Sequence, residues 1–411
     1  MTRGELLRNR PLRALLVAEI VSTSGGLMTW LALPWFVLTT TGSPSRMTIV
    51  MAAELIGLAV TGLPSGALLQ RLGARRTMLL ADVTRAPLML LIPLLHWTGG
   101  LNFGLLIAVA VGLGALSSPY FAAQRMILPE LLGEDEKVVG QASALFQGAI
   151  RLTLLLGPPV GGILIAAFDA STVLVIDAAT YLVSFLLVGL FVPRRDVEPA
   201  AAESRGLLTG LRFLVHEPLL RVWMTVLIFG DMAWQAFFAA IPVLVVERFD
   251  ADPRLAGILY ASFGVGALIG NTVSFRWLVG RFSGMKLIAF GQPFQALPLW
   301  LLAFHLPAPA MALALALSGA ANGIVNPSLH SLMTLRIPSA MRAKVMTASS
   351  TVSAAAYPLA LFAVGPILST FGAQPVLVLV ALMQSITAAA LTVTTLRAIP
   401  APQPEPVLTE V

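Results

Sequence analysis

Seven ionisable side chains interrupt long apolar runs: Glu19, Glu54, Asp82, Arg85, Arg151, Asp177 and Asp231. A charge held in hydrocarbon costs at least about 2.5–3.5 kcal/mol at the centre of a span, so such a residue is kept for a task or for a partner. A carboxylate whose surroundings alternate between apolar and cationic takes a proton in one state and releases it in the other. That alternation can couple proton entry to the movement of a second molecule. Asp231 and Arg151 stand near the middle of their runs, and Glu54 roughly eight residues in from the end of its own. Glu54 and Asp231 are therefore expected to be protonation sites or sites for a cationic substrate, with Arg151 as counter-charge. Glu19, about two turns from the end of its run, is a further candidate and is expected to snorkel toward the interface. Asp177 is expected to start a helix or to pack. The competing reading for Glu54, Asp231 and Arg151 is a fixed ion pair that holds helices in register.

The elements that carry these residues are membrane helices. The chain has 411 residues, of which 57% are apolar and 11% charged, against about 25% charged in a soluble domain. Apolar stretches long enough to cross a bilayer recur throughout. Twelve spans are read, over residues 13–41, 46–69, 77–97, 101–124, 140–167, 172–192, 219–246, 255–275, 286–305, 309–331, 343–368 and 372–396. With the N-terminus inside, 21 Arg and Lys fall on the cytoplasmic side and 3 (Arg46, Arg248, Arg254) on the other. Both termini are thus expected in the cytoplasm.

The net charge of +6 does not indicate nucleic acid, because the cations sit in short loops between apolar spans. There is no Cys, and the four His are scattered without metal-ligand spacing. No metal or cofactor is expected. No Walker loop, G-x-S-x-G or H-E-x-x-H occurs, so an enzyme is not expected. No cleavable signal peptide is evident. Arg greatly exceeds Lys, and Ala is abundant. That bias suits a high-GC bacterium and hence a bacterial inner membrane.

The two halves repeat. Pro34, Pro119 and Gly157-Pro158 return 208 residues later as Pro242, Pro327 and Gly365-Pro366. Leu33-Pro-Trp-Phe-Val37 matches Ile241-Pro-Val-Leu-Val245 at the same offset. Proline at matching depth bends matching helices. The expected organisation is an all-α membrane protein of two pseudo-symmetric six-helix bundles, 1–192 and 219–396. A cytoplasmic linker, 193–218, joins them, polar at first and then a short surface helix over 206–216. A Pro-rich disordered tail, 397–411, ends the chain.

A cationic turn, Gly66-Ala-Leu-Leu-Gln-Arg-Leu-Gly-Ala-Arg-Arg76, is followed by Asp82 and Arg85. It resembles the signature loop between helices 2 and 3 of the major facilitator superfamily, matching at Gly66, Arg71, Gly73, Arg75, Arg76, Asp82 and Arg85. It departs at Gln70, where the family carries Asp. The repeat has the parallel organisation of that superfamily, in which the substrate site lies near mid-membrane between the bundles. Leu33-Pro-Trp-Phe-Val37 through Ser43, Pro119 through Pro129, Arg151 with Gly157-Pro158-Pro-Val-Gly-Gly162, and Ile176-Asp-Ala through Tyr181 are similar to the bacterial drug:proton antiporter group.

The resemblance implies a gating role for Gly66, Gln70, Arg71, Gly73, Arg75, Arg76, Asp82 and Arg85, with Gln70 loosening the latch. It also implies a cavity lined by spans 1, 7 and 10, where Trp30, Trp35, Trp234, Phe237, Phe238, Asn322 and Asn326 lie. Aromatics with a few polar groups suit amphiphilic organic molecules. The expected function is proton-coupled export of small amphiphilic compounds such as drugs by a monomer embedded in lipid. The alternatives are an importer or passive facilitator of a metabolite, and a membrane sensor that does not transport.

Overall fold

The computed structural model describes residues 8–133, 135–194 and 207–398. The polar stretch of the linker over 195–206 and the tail from 399 lie outside them. Among the described residues the chain is helical throughout. In a bilayer core each backbone N–H and C=O must find its partner inside the segment, so apolar runs of this length fold as helices.

Short-chain polar residues open most of these helices. Asn9 caps α1 (Arg10–Thr41), accepting from the Leu12 amide at 3.2 Å. Ser43 does the same for α2 (Pro44–Trp97), Asn102 for α3 (Phe103–Leu132) and Asp135 for α4 (Glu136–Phe168). Asp169 caps α5 (Ala170–Phe191). These side chains take one of the N–H groups that a helix start leaves unpaired.

Element α2 carries spans 2 and 3. Its helix breaks at Gly73, where φ is 75° and ψ 164°, a backbone conformation that favours glycine. The second half comprises a short helix α6 (Leu207–His216), then α7 (Pro218–Arg248), α8 (Pro253–Val273), α9 (Gly284–Ala296), α10 (Ala308–Arg336), α11 (Ser339–Phe371) and α12 (Ala373–Ala398). Arg397 therefore belongs to α12 rather than to the tail.

Among the described residues, eleven helices are individually long and apolar enough to cross a membrane. The twelfth crossing, span 9, is divided: α9 ends at Ala296 and continues as a 3₁₀ helix, Leu297–Ala303. Pro293 and Pro298 remove two backbone donors there. The Ser318 hydroxyl donates to the Gln295 carbonyl at 2.7 Å.

Within each half, equivalent spans meet backbone to backbone. A Cβ on Gly114 of span 4 would lie 1.8 Å from the Glu54 carbonyl of span 2. One on Gly266 of span 8 would lie 1.9 Å from the Ala316 carbonyl of span 10. Small residues let helices approach where lipid offers no hydrophobic drive to pack them.

Between the halves the packing is one-sided. On the face where α1 ends and α2 begins, one apolar cluster runs through both, from Met28–Leu38 and Met47–Ala53 to Ala239–Val245 and Leu361–Leu368. On the basic face, where the start of α1, α6 and the end of α12 lie, the core splits. Leu12, Met78, Tyr120 and Phe146 form a cluster confined to the first half, and Leu220, Trp223, Leu329 and Val345 one confined to the second. The bundles are joined at one membrane face and parted at the other.

Candidate functional site

The interior of the first bundle holds a continuous polar chain. Asp82 and Arg85, one turn apart on span 3, form an ion pair at 2.6 Å. Ser184 of α5 donates to the other Asp82 oxygen at 2.7 Å. The Arg85 guanidinium lies between two rings, 4.2 Å from the centroid of Tyr120 and 4.4 Å from that of Tyr181. Cation–π attraction of this kind strengthens where water is absent.

Beyond Tyr120 the chain reaches Glu19. The tyrosine hydroxyl donates to Glu19 Oε2 at 3.3 Å, Thr23 donates to Oε1 at 2.6 Å, and the Gln124 amide donates to Oε1 as well. Glu19 is 0% exposed. It does not snorkel: three donors inside the bundle satisfy its oxygens, which the aqueous rim would otherwise have to do.

Beyond Tyr181 the chain reaches Asp177, also 0% exposed. Thr29 of α1 donates to it at 2.7 Å and Thr180 at 3.1 Å. Asp177 lies well inside α5 and does not start the helix. It is close enough to Glu54 for the two charges to interact. Glu54 is only half-buried, and among the described residues no side chain donates to it. The chain thus runs Glu54, Asp177, Tyr181, Arg85 with Asp82, Tyr120, Glu19. At 1.5 Å per residue it extends from about 15 Å below one helix end to about 13 Å above the other.

In the second bundle Asp231 of α7 accepts from the Tyr357 hydroxyl of α11 at 3.1 Å. His330 of α10 is its cationic neighbour when protonated. Asp231 is half-buried.

Arg151 does not join any of these acids. It is exposed, and it lines a groove with Leu268, Asn271, Thr272, Phe275 and Arg276 at the seam between α4 and α8. The cation beside the carboxylates is Arg85. Sequence depth alone could not separate the two, because both lie inside apolar spans.

The aromatic candidates divide in the same way. Trp30 of α1 packs at a tilt against Phe238 of α7, with ring centroids 4.4 Å apart, and approaches Tyr260 of α8 at 5.7 Å. Trp234 meets Phe263 at 4.3 Å. Tyr260 is buried and donates its hydroxyl to the Phe238 carbonyl at 2.6 Å, while Trp30, Trp234, Phe238 and Phe263 are half-buried around it. Trp35 and Phe237, 5% and 0% exposed, are packed into the joined cluster instead of lining open space. Asn322 and Asn326, half-buried on α10, bond to each other at 3.4 Å.

The signature loop is held by its own bundle. Arg75 donates to the Val192 carbonyl at 2.6 Å and to the Gly189 carbonyl at 2.7 Å, closing the end of α5. The Glu130 carboxylate accepts from the Ala74 amide at 3.1 and 3.2 Å, where span 3 begins. Gly66, Arg71 and Arg76 are exposed and Gln70 is half-exposed. Among the described residues none of Gln70, Arg71 or Arg76 bonds across to the second bundle.

Sequence reading missed Tyr120, Tyr181, Ser184, Thr29 and Tyr357 as functional candidates. One signal was present: Asp177, Tyr181 and Ser184 recur at helical spacing on a single face of α5.

The sequence profile of the Major Facilitator Superfamily matches residues 15–361. A relative from Mycolicibacterium fortuitum, the multidrug efflux pump Tap, is 27% identical over 379 residues, covering 88% of this chain and 90% of that protein. The pump of the same name from Mycobacterium tuberculosis strain H37Rv is 25% identical over 375 residues, covering 88% of each. Among solved structures, a mutant of the nucleoside transporter NupG superposes with a TM-score of 0.77 at 12% identity, covering 93% of this chain and 99% of that one. A bacterial homologue of the human lysosomal transporter Spinster, inward-facing and occupied, gives 0.73 at 14% identity, covering 95% and 98%. These two likenesses concern the fold. With the profile spanning most of both bundles, the chain belongs to the major facilitator superfamily of membrane transporters.

Proposed function

We propose that this protein is a proton-coupled exporter of small amphiphilic organic compounds that works by alternating access. The observation that carries the reading is the polar chain of the first bundle. Glu19, Glu54, Asp82 and Asp177 face a single guanidinium, Arg85, so full ionisation would leave three uncompensated negative charges within one bundle. Uncompensated charge in a medium of low dielectric is costly, and protons are the available neutralisers. Glu54 is partly exposed and, among the described residues, receives no side-chain donor, so it is the carboxylate we assign as the entry point for a proton.

The cargo reading rests on the aromatic cluster of Trp30, Trp234, Phe238, Tyr260 and Phe263 with Asp231 one turn before Trp234 on α7, a setting for rings and for positive charge. The mycobacterial relatives named as multidrug pumps support export of drug-like molecules. The basic face, placed in the cytoplasm by the positive-inside rule, is the open one, from which cargo enters. The protein is a monomer in a bacterial inner membrane in this reading, with no cofactor and no nucleic-acid partner.

The test is transport in proteoliposomes loaded with a pH dye, using ethidium as the probe cation. Wild-type protein acidifies one compartment as ethidium moves. Glu54→Gln retains ethidium binding and loses the linked proton flux. Proton flux undiminished in Glu54→Gln, Asp177→Asn and Asp231→Asn alike would overturn the coupling scheme.

A further inference from the structure

The seam between α4 and α8 carries two guanidiniums with no acid beside them. Arg151 comes from the first bundle and Arg276 from the second, and both line one groove with Leu268, Asn271, Thr272 and Phe275. Among the described residues neither arginine forms an ion pair or a side-chain hydrogen bond. Both are exposed. Phe275, 82% exposed, and Leu268 give the groove an apolar wall, while Asn271 and Thr272 add polar groups.

Arg151 stands deep in α4, 15 residues from Glu136 at its start and 17 from Phe168 at its end. A guanidinium at that depth needs an anion, because hydrocarbon neither solvates nor neutralises it. The planar fork of arginine matches phosphate oxygens two at a time. Basic pockets between membrane helices are suited to anionic headgroups.

We propose that this seam binds the phosphate of an anionic glycerophospholipid from the leaflet on the basic face. The headgroup bridges Arg151 and Arg276, and an acyl chain runs along Leu268 and Phe275. The site has a conformational meaning. Near the opposite face α4 and α8 touch: a Cβ on Gly162 would lie 2.5 Å from the Pro253 carbonyl, and one on Gly257 2.5 Å from the Pro158 carbonyl. The groove lies on the other side of that contact, where the helices diverge. A bridging phosphate therefore belongs to the state that is open at the basic face, and its binding energy favours that state over the closed one. Without it, the two like charges repel each other across the seam.

The experiment is native mass spectrometry of the full chain after detergent extraction and delipidation, with phosphatidylglycerol, phosphatidylcholine or inorganic phosphate added back. Wild-type protein is expected to retain phosphatidylglycerol over phosphatidylcholine. Arg151→Gln with Arg276→Gln is expected to lower that retention by about tenfold or more, as for loss of charge-assisted hydrogen bonds. Lys286→Gln with Arg281→Gln removes two cations outside the groove at the same face and is expected to leave retention unchanged. Unaltered thermal unfolding of each double variant shows that the fold is intact. If inorganic phosphate alone competes as well as the lipid does, the site is one for a free anion and the lipid assignment fails. Equal retention by wild type and the Arg151/Arg276 variant, or equal loss in the Lys286/Arg281 variant, overturns the proposal. None of these readouts depends on transport, so failure here and failure of the proton-coupled export reading are separable.

Discussion

Replacing Gly257 by Ala is expected to move the protein toward the state that is closed at the basic face. The added Cβ would meet the Pro158 carbonyl at 2.5 Å, with Pro159 Cα at 3.0 Å, against 3.4–4 Å for an ordinary contact. Both neighbours are backbone, so no side chain can turn away and α4 and α8 must part by about 1 Å. Overpacking of this kind costs about 1–3 kcal/mol. The cost applies only where the helices touch, which is the state described, so the equilibrium shifts by about 5- to 150-fold toward the alternative. The pseudo-symmetric contact supplies the control. At Gly365 the Cβ would meet Thr48 Oγ1 at 2.2 Å, but the next neighbours stand at 3.3 and 3.5 Å, and a hydroxyl can rotate away. Gly365→Ala is expected to shift the equilibrium less. The chain lacks cysteine, so spin labels can be placed at will, at Lys137 and Arg281 on the basic face and at Thr40 and Asp250 on the other. Pulsed electron paramagnetic resonance should show the first distance shortening and the second lengthening in Gly257→Ala. Distances equal to wild type, or an equal shift in Gly365→Ala, would refute the view that this backbone contact holds the two bundles together.

Three further outcomes are expected. Arg85→Met strands Asp82 and removes both ring contacts, so it should lose about 3–5 kcal/mol in reversible unfolding by sodium dodecyl sulfate; adding Asp82→Asn should recover much of that, and no recovery would mean that the pair is not coupled. Arg75→Ala frees the carbonyls of Val192 and Gly189; it should cost about 1.5–3 kcal/mol and raise hydrogen exchange at the end of α5 before elsewhere. Gln70→Asp should shorten the distance between labels at Lys137 and Arg281 by restoring a charged latch, and an unchanged distance counts against a latch at this position.

Much of the architecture was legible in the chain because its causes are local or repeated. Apolar length dictates the spans, and the 208-residue offset pairs Pro34 with Pro242 and Pro158 with Pro366, each of which lies inside a helix. Span 9 departs from a plain helix because Pro293 and Pro298 stand in one crossing. The site was less legible because facing depends on rotation, which apolar composition does not fix. Hydrophobic residues surround a membrane helix on all sides, so no polar stripe reveals which face Arg151 or Arg85 presents. Glu19 and Asp177 were undervalued for a related reason. Their partners, Tyr120 and Thr29, are 101 and 148 residues away, and such pairings exist only once the bundle is assembled.

The polar chain also predicts that its two outer carboxylates behave differently under the same substitution. Glu19 receives three donors, from Thr23, Tyr120 and Gln124. In Glu19→Gln an amide that is itself a donor faces them, and a buried donor left unmatched costs about 1–3 kcal/mol. Glu54 receives none among the described residues and is half-buried. In Glu54→Gln no existing donor loses its acceptor, so stability should hold. The two variants should therefore separate fold from coupling: Glu19→Gln lowers the sodium dodecyl sulfate midpoint, while Glu54→Gln leaves the midpoint and abolishes the proton flux linked to ethidium movement. Equal destabilisation would place Glu54 in the fixed scaffold, and the proton would then have to enter elsewhere, with Asp231 and its donor Tyr357 the remaining candidate pair.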